Sequence, residues 1–122
     1  MTRSILVVED QEDNRRIIRD LLSSVNLEVI EAMTGEESVA LAQSRLPDLI
    51  LMDIQMPVLD GYEATRRIKA DARLQHIPII VVTSYALSGD EAKARAAGAD
   101  DYVAKPFAPR ELLAKIREFL PD

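Results

Sequence analysis

Short aliphatic and β-branched runs recur along the chain, at residues 5–8, 27–30, 49–52 and 79–82, with a weaker one at 102–104. The first, third and fourth are continuous rather than alternating, which is the pattern of strands buried on both faces. Between the runs the apolar positions take a helical spacing. Ile17, Ile18, Leu21, Leu22 and Val25 predict one stripe, and Val39 and Ala42, with Leu46 near the end, predict a second. Ile68 with Ala64 and Ala72 predicts a third, and Leu112, Leu113, Ile116 and Leu120 the last.

The punctuation agrees. Asp13 and Asn14 are expected to cap the first helix, Thr34-Gly35 precedes the second, and Ser88-Gly89-Asp90 precedes the fourth. Gly98 ends the fourth, and Pro109 stands where a first-turn proline belongs. Strands alternating with helices make a βα repeat, and right-handed crossovers then give an α/β fold: a parallel sheet covered on both faces. The fourth helix is the odd one, because between Gly89 and Ala97 its only apolar residues are Ala92, Ala94, Ala96 and Ala97. It buries little area, so it reads either as an ordinary surface helix or as an element able to shift.

Composition bounds the function. The 122 residues suit one domain, 48% are apolar and 30% charged, and neither a linker nor a low-complexity segment interrupts them. A net charge of −6 argues against a nucleic-acid partner, which would require a basic face. Without cysteine there is neither a disulfide framework nor a thiol nucleophile, and the single His76 makes a zinc site improbable. The first apolar run is too short for a signal segment or a membrane span, so a cytoplasmic protein is expected.

The position of the acids is more telling. In parallel α/β sheets, ligands bind beyond the carboxyl ends of the strands, near the point where strand order reverses. Glu9 and Asp10 end the first run and Asp53 the third, while Thr83-Ser84 follows the fourth and Lys105-Pro106 the fifth. If these strands are neighbours, the side chains converge on one edge. Three carboxylates in one pocket repel one another unless a cation sits among them or a proton is taken up. Magnesium suits such a site, with one or two carboxylates, a carbonyl, waters and a phosphoryl oxygen. Lys105 and the Thr83 hydroxyl would then bind the anion that completes the shell. Taken singly, each residue has an ordinary reading, as an acid at a strand end or a lysine in a loop.

Over nearly its whole length the chain resembles the receiver domains of two-component response regulators, in their stand-alone form. The resemblance is carried by residues 5–10 (ILVVED), 48–53 (DLILMD), 56–61 (MPVLDG), Val82-Thr83-Ser84 with Ala86, and Ala97-Gly98-Ala99 leading to residues 102–107 (YVAKPF). It implies a flavodoxin-like doubly wound (βα)5 fold with strand order 2-1-3-4-5. It also implies a single receiver domain over residues 1–122, with no effector domain. Asp53 would be the phosphoacceptor for a sensor histidine kinase or histidine phosphotransfer protein. Asp10 would bind Mg2+ directly and Glu9 through water, with Asp53 and the backbone carbonyl of Gln55 as further ligands and Mn2+ as the alternative ion. Thr83 would hydrogen-bond the phosphoryl group, Lys105 would pair with it, and Tyr102 would turn inward once Thr83 moves. The family commonly has a cis bond before the proline at Pro106. The protein would be a signalling phosphoacceptor rather than an enzyme in the ordinary sense, with weak self-phosphorylation and autodephosphorylation. Its output would pass through a protein target on the fourth helix, fifth strand and fifth helix, with no nucleic acid and no membrane.

Four positions depart from the commonest pattern or stand beside it. Glu9 replaces the frequent aspartate, Ser84 follows Thr83 where alanine is common, and Gln55 and Tyr85 occupy positions that tune dephosphorylation in the family, with Tyr85 expected to shield the phosphoryl group from water. Arg15 and Arg16 read most simply as a solvated face, with kinase docking as the second reading, and Phe107 reads as core. Other functions fare worse. A flavodoxin-like cofactor binder needs a phosphate-cradling loop after the first strand, where this chain has Glu9-Asp10-Gln11-Glu12-Asp13. A metal-dependent phosphatase needs a second acid near the nucleophile, where Gln55 stands. A receiver that no longer accepts phosphate would not be expected to keep Glu9, Asp10, Asp53, Thr83 and Lys105 together.

Overall fold

The computed structural model describes residues 2–54, 56, 59–83 and 90–121. The elements are β1 (Ser4–Val8), α1 (Glu12–Ser23), β2 (Glu28–Ala32), α2 (Gly35–Arg45), β3 (Leu49–Asp53), α3 (Gly61–Ala70), β4 (Ile79–Thr83), α4 (Asp90–Ala96), β5 (Asp101–Ala104) and α5 (Pro109–Phe119). The strands form one parallel sheet in the order β2-β1-β3-β4-β5. This is the flavodoxin-like arrangement, and its strand order reverses between β1 and β3.

Successive side chains on a strand point to opposite faces, and here both faces are covered. Ile5 and Val7 of β1, Leu49 and Leu51 of β3, and Ile80 and Val82 of β4 pack with Ile18 and Leu22 of α1 and Leu112 and Ile116 of α5. Leu6, Val8, Ile50, Met52, Ile79 and Val81 face the other way, against Ala42, Ala64, Ile68 and Ala94 of α2, α3 and α4. That double burial is why β1, β3 and β4 are written without polar interruptions. Edge strand β2 is buried only at Ile30 and Ala32, so its polar alternation shifts the observed strand to 28–32 from the expected 27–30.

Several helix ends follow the sequence signals. The Thr34 hydroxyl accepts from the Glu37 amide at 3.0 Å, and Glu37 in turn accepts from the Met33 amide at 2.6 Å. Asp60 caps α3 by accepting from the Glu63 amide at 2.9 Å, Gly98 closes α4 with φ 104°, and Pro109 is the first residue of α5.

Other expectations are corrected. The N-cap of α1 is Gln11, and Asp13 and Asn14 lie inside the first turn, where Asp13 complements the helix dipole. Ile17 is 63% exposed rather than part of the buried stripe. Leu46 is not in the α2 stripe: it terminates the helix in a left-handed conformation, φ 47°, and is exposed. Ala72 lies beyond α3, which ends at Ala70. The light anchoring of α4 is as the alanines imply, since Ala94 and Ala97 are buried while Ala92 and Ala96 face solvent.

Candidate functional site

The last residue of β3 is Asp53, the last of β4 is Thr83, and Lys105 directly follows β5. Registered pairing aligns them, with Asp53 beside Val82 and Thr83 beside Ala104, and the Lys105 amide donates to the Thr83 carbonyl at 2.7 Å. Glu9 follows β1 on the other side of β3, its amide donating to the Ala32 carbonyl at 3.0 Å. The carboxylate oxygens of Glu9, Asp10 and Asp53 come within 4.8 Å of one another. Glu9, Asp53 and Thr83 are buried, while Asp10 is exposed at the mouth. Glu9, Asp10, Asp53, Thr83 and Lys105 therefore meet at the carboxyl edge of the sheet, at the switch point.

The Lys105 ammonium donates to Glu9 Oε1 at 2.8 Å and lies 3.6 Å from Asp53 Oδ2. Burial pushes the Glu9 carboxyl up, but the Lys105 ammonium, the Asp53 carboxyl and the Gln11 amide together outweigh it and hold Glu9 below the usual carboxylate range. Asp10 shifts the other way, raised by partial loss of hydration and by the adjacent Glu9 carboxylate. Three carboxylates against one ammonium leave a formal −2 in the cluster, the charge that one divalent cation cancels. An all-oxygen donor set of this kind suits a hard ion such as Mg2+.

Two residues shape the site without having been expected to. Gly61 opens α3 directly beneath Asp53: a Cβ there would lie 2.3 Å from the Asp53 carbonyl oxygen and 2.7 Å from Ile54 Cα. Only a residue without a side chain allows this approach. Arg15, expected on a solvated face, is instead 7% exposed. Its guanidinium donates to the Glu9 carbonyl at 2.9 Å, to Glu31 at 3.2 Å and to Glu12. Two of these partners, the residue after β1 and Glu31 of β2, lie outside α1, so helical periodicity alone could not reveal them. Its neighbour Arg16 is exposed as expected.

Tyr102 is partly buried in β5 and packs against the core face that carries α4. Phe107 is likewise partly buried and packs against the opposite face, and the Lys105–Pro106 bond is cis, as in the family pattern. Gln55, Ser84, Tyr85 and Ala86 lie outside the described residues. Beside the acids opens an apolar groove of about 580 Å³, lined by Ile17, Ile18 and Leu21 of α1 and by Lys105, Pro106 and Phe107.

Comparison with known proteins agrees with this geometry. The model of the response regulator receiver domain family matches residues 5–117. Over 122 residues the chain is 42% identical to the polar-differentiation response regulator DivK of Brucella ovis and 41% identical to that of Brucella anthropi, covering 100% of this chain and 99% of each relative. Among solved structures, the receiver domain of a sensor histidine kinase from Pseudomonas aeruginosa, with a magnesium ion coordinated in its active-site cleft, superposes with a TM-score of 0.93 at 38% identity, each chain fully covered. The chemotaxis protein CheY4 of Vibrio cholerae superposes at 0.92 with 28% identity, over 98% of this chain and 99% of that one. The chain belongs to the response regulator receiver domain family, whose members are signalling phosphoacceptors of two-component systems.

Proposed function

We propose that the protein accepts a phosphoryl group on Asp53 from a phosphohistidine of a sensor kinase or phosphotransfer protein and signals by binding a protein partner. The observation that carries this reading is the convergence of Glu9, Asp10 and Asp53 within 4.8 Å, with the Lys105 ammonium between two of them. In the transfer, a carboxylate oxygen of Asp53 forms the new bond to phosphorus while the bond from phosphorus to the imidazole nitrogen breaks. The imidazole leaves with the electron pair. Such chemistry needs positioning and neutralisation of the phosphoryl oxygens more than acid–base catalysis. Glu9, Asp10, Asp53 and the Gln55 carbonyl would hold Mg2+, which when bound supplies charge to those oxygens. Lys105 turns from Glu9 to the new phosphate, and the Thr83 hydroxyl donates to it.

The phosphate adds close to two negative charges at one point. Thr83 and Lys105 follow that charge, and their hydrogen-bonded strand ends transmit it to β5 and Tyr102. Because α4 is held by few buried side chains, the face of α4, β5 and α5 is the surface proposed to change affinity for its target. The donor must approach the same sheet edge. The groove between α1 and Phe107 shares Lys105 with the acid cluster, so it offers an apolar footing beside Asp53. An amphipathic helix carrying the donor histidine matches it in chemistry. Slow hydrolysis of the acyl phosphate resets the switch. Among the described residues no helix is long and apolar enough to cross a membrane, and a cytoplasmic setting suits the proposed donor.

The reading is tested by incubating the protein with phosphoramidate and Mg2+ and measuring intact mass. A gain of one phosphoryl group, absent with chelator and absent in Asp53→Asn, is expected. No adduct on the wild type, or an equal one on the variant, overturns it.

A further inference from the structure

Arg15 is the one described arginine with its side chain buried, and a buried guanidinium is costly unless its donors are satisfied. Here they are, and the partners matter more than the count. The pairing of β1 with β2 ends at Val8 and Ala32, and the Glu9 amide makes one more bond to the Ala32 carbonyl. Beyond that point the Glu9 carbonyl has left the strand ladder. Arg15 Nη1 reaches back across the first turn of α1 and donates to it at 2.9 Å. The Gln11 amide donates to Glu9 Oε2 at 3.1 Å. The turn that carries both Glu9 and Asp10 is thereby pinned at the Glu9 amide, at its carbonyl and at its carboxylate. The carbonyl contact fixes the plane of the Glu9–Asp10 peptide, and with it the direction in which Asp10 leaves the backbone.

The fork itself is oriented from the far side. Arg15 Nε donates to Glu31 Oε1 at 3.2 Å, and Arg19 donates to both Glu31 oxygens at 3.1 and 3.0 Å. Glu31 is in β2, so the acid pair after β1 is braced by a carboxylate on the neighbouring strand, acting through a residue of α1.

We propose that Arg15 is a positioning residue for cation binding, aiming the Glu9–Asp10 turn, with Glu31 holding Arg15 in place. The inference rests on the divalent-cation site proposed above. Two physical effects oppose each other at this position, and their signs separate the proposal from its alternative. A positive charge close to a cation site weakens binding, so its loss alone would tighten Mg2+. Loss of the aim of a ligating turn weakens binding, by roughly tenfold or more where residues behind the ligands have been removed.

The test is calorimetric titration with Mg2+ of the wild type, Arg15→Met, Arg15→Lys and Glu31→Gln, alongside urea unfolding of each. We expect Arg15→Met to bind about tenfold more weakly. Arg15→Lys should fail to restore affinity, because an ammonium lacks the planar fork that serves the Glu9 carbonyl and Glu31 together. Glu31→Gln should move affinity in the same direction by less. If the wild type binds Mg2+ and Arg15→Met binds as tightly or more tightly, whatever its stability, the positioning role is overturned. If Arg15→Met does not fold, Glu31→Gln decides on the same criterion, since Glu31 is only half-buried. Absence of Mg2+ binding by the wild type itself would instead remove the cation site and the positioning role together.

Discussion

The Lys105 ammonium stands nearer to Glu9, at 2.8 Å, than to Asp53, at 3.6 Å. In the unphosphorylated protein this lysine therefore shares its charge among the acids that would hold the cation, and competes with it. Lys105→Met should bind Mg2+ more tightly, by on the order of tenfold for a unit charge removed at this range in a partly hydrated site. The same variant should lose most of its phosphorylation-dependent change. Mg2+ titration combined with amide shifts of β5 before and after phosphoramidate treatment checks both halves.

Gly61→Ala sets two effects against each other. Alanine in place of glycine within a helix gains up to about 1 kcal/mol in propensity. The new methyl, however, would sit 2.3 Å from the Asp53 carbonyl oxygen, which is backbone and cannot rotate away. Overpacking of this kind costs about 1–3 kcal/mol, so the clash should win and the variant be destabilised by about 1–2 kcal/mol. Because the atom displaced belongs to Asp53, the rate of adduct formation should fall further than stability alone accounts for. Urea unfolding with time-resolved intact mass separates the two.

The pH response follows from the opposed shifts of Glu9 and Asp10. Asp10 is held above the ordinary carboxylate range, so as pH falls it is expected to protonate before Glu9, and Mg2+ binding should weaken from that point. For folding, a raised carboxyl favours the protonated native state, so without cation its contribution declines as pH rises from its unfolded to its native pKa and is flat above. Glu9, held low, contributes in the opposite sense: its share is present above its unfolded pKa and is lost as pH falls towards its native value. Asp10→Asn should consequently raise the apo-protein's Tm at neutral pH and make little difference in acid. Thermal scans of both proteins in chelator across pH test the sign.

Ile17→Asp addresses the groove. Ile17 is 63% exposed and lines the opening beside Lys105, so the change costs little stability. Loss of an apolar contact at a protein interface is typically worth more than 1 kcal/mol only at its central residues. If the groove seats the donor, transfer from a phosphorylated histidine phosphotransfer protein should slow by about tenfold, while phosphoramidate, which needs no docking, should react at the wild-type rate. Equal slowing with both donors contradicts the assignment.

Much of this was readable from the chain because double burial writes β1, β3 and β4 as unbroken apolar runs, and because each candidate site residue ends or closely follows a strand. Position within the pattern thus announced Glu9, Asp10, Asp53, Thr83 and Lys105. What escaped was set by contacts between elements. Arg15 lies on α1, yet its side chain is held by Glu9, just after β1, and by Glu31 of β2. Ile17 carries the spacing of a core residue but extends past the edge of the face that α1 presents to the sheet. Leu46 continues an apolar stripe in the sequence, whereas the chain must reverse there and adopts φ 47° despite the side chain. Edge strand β2 is half-covered, so its ends carry no clear signal.

The central claim is that Asp53 becomes an acyl phosphate. Borohydride reduces an acyl phosphate to the alcohol, turning an aspartyl phosphate into homoserine and leaving free carboxylates untouched. After phosphoramidate and Mg2+, peptide mass analysis of the reduced protein should find homoserine at position 53, and should lose it when chelator replaces Mg2+. Homoserine at position 10 instead, or at no position while the intact protein still carries phosphate, would contradict the account.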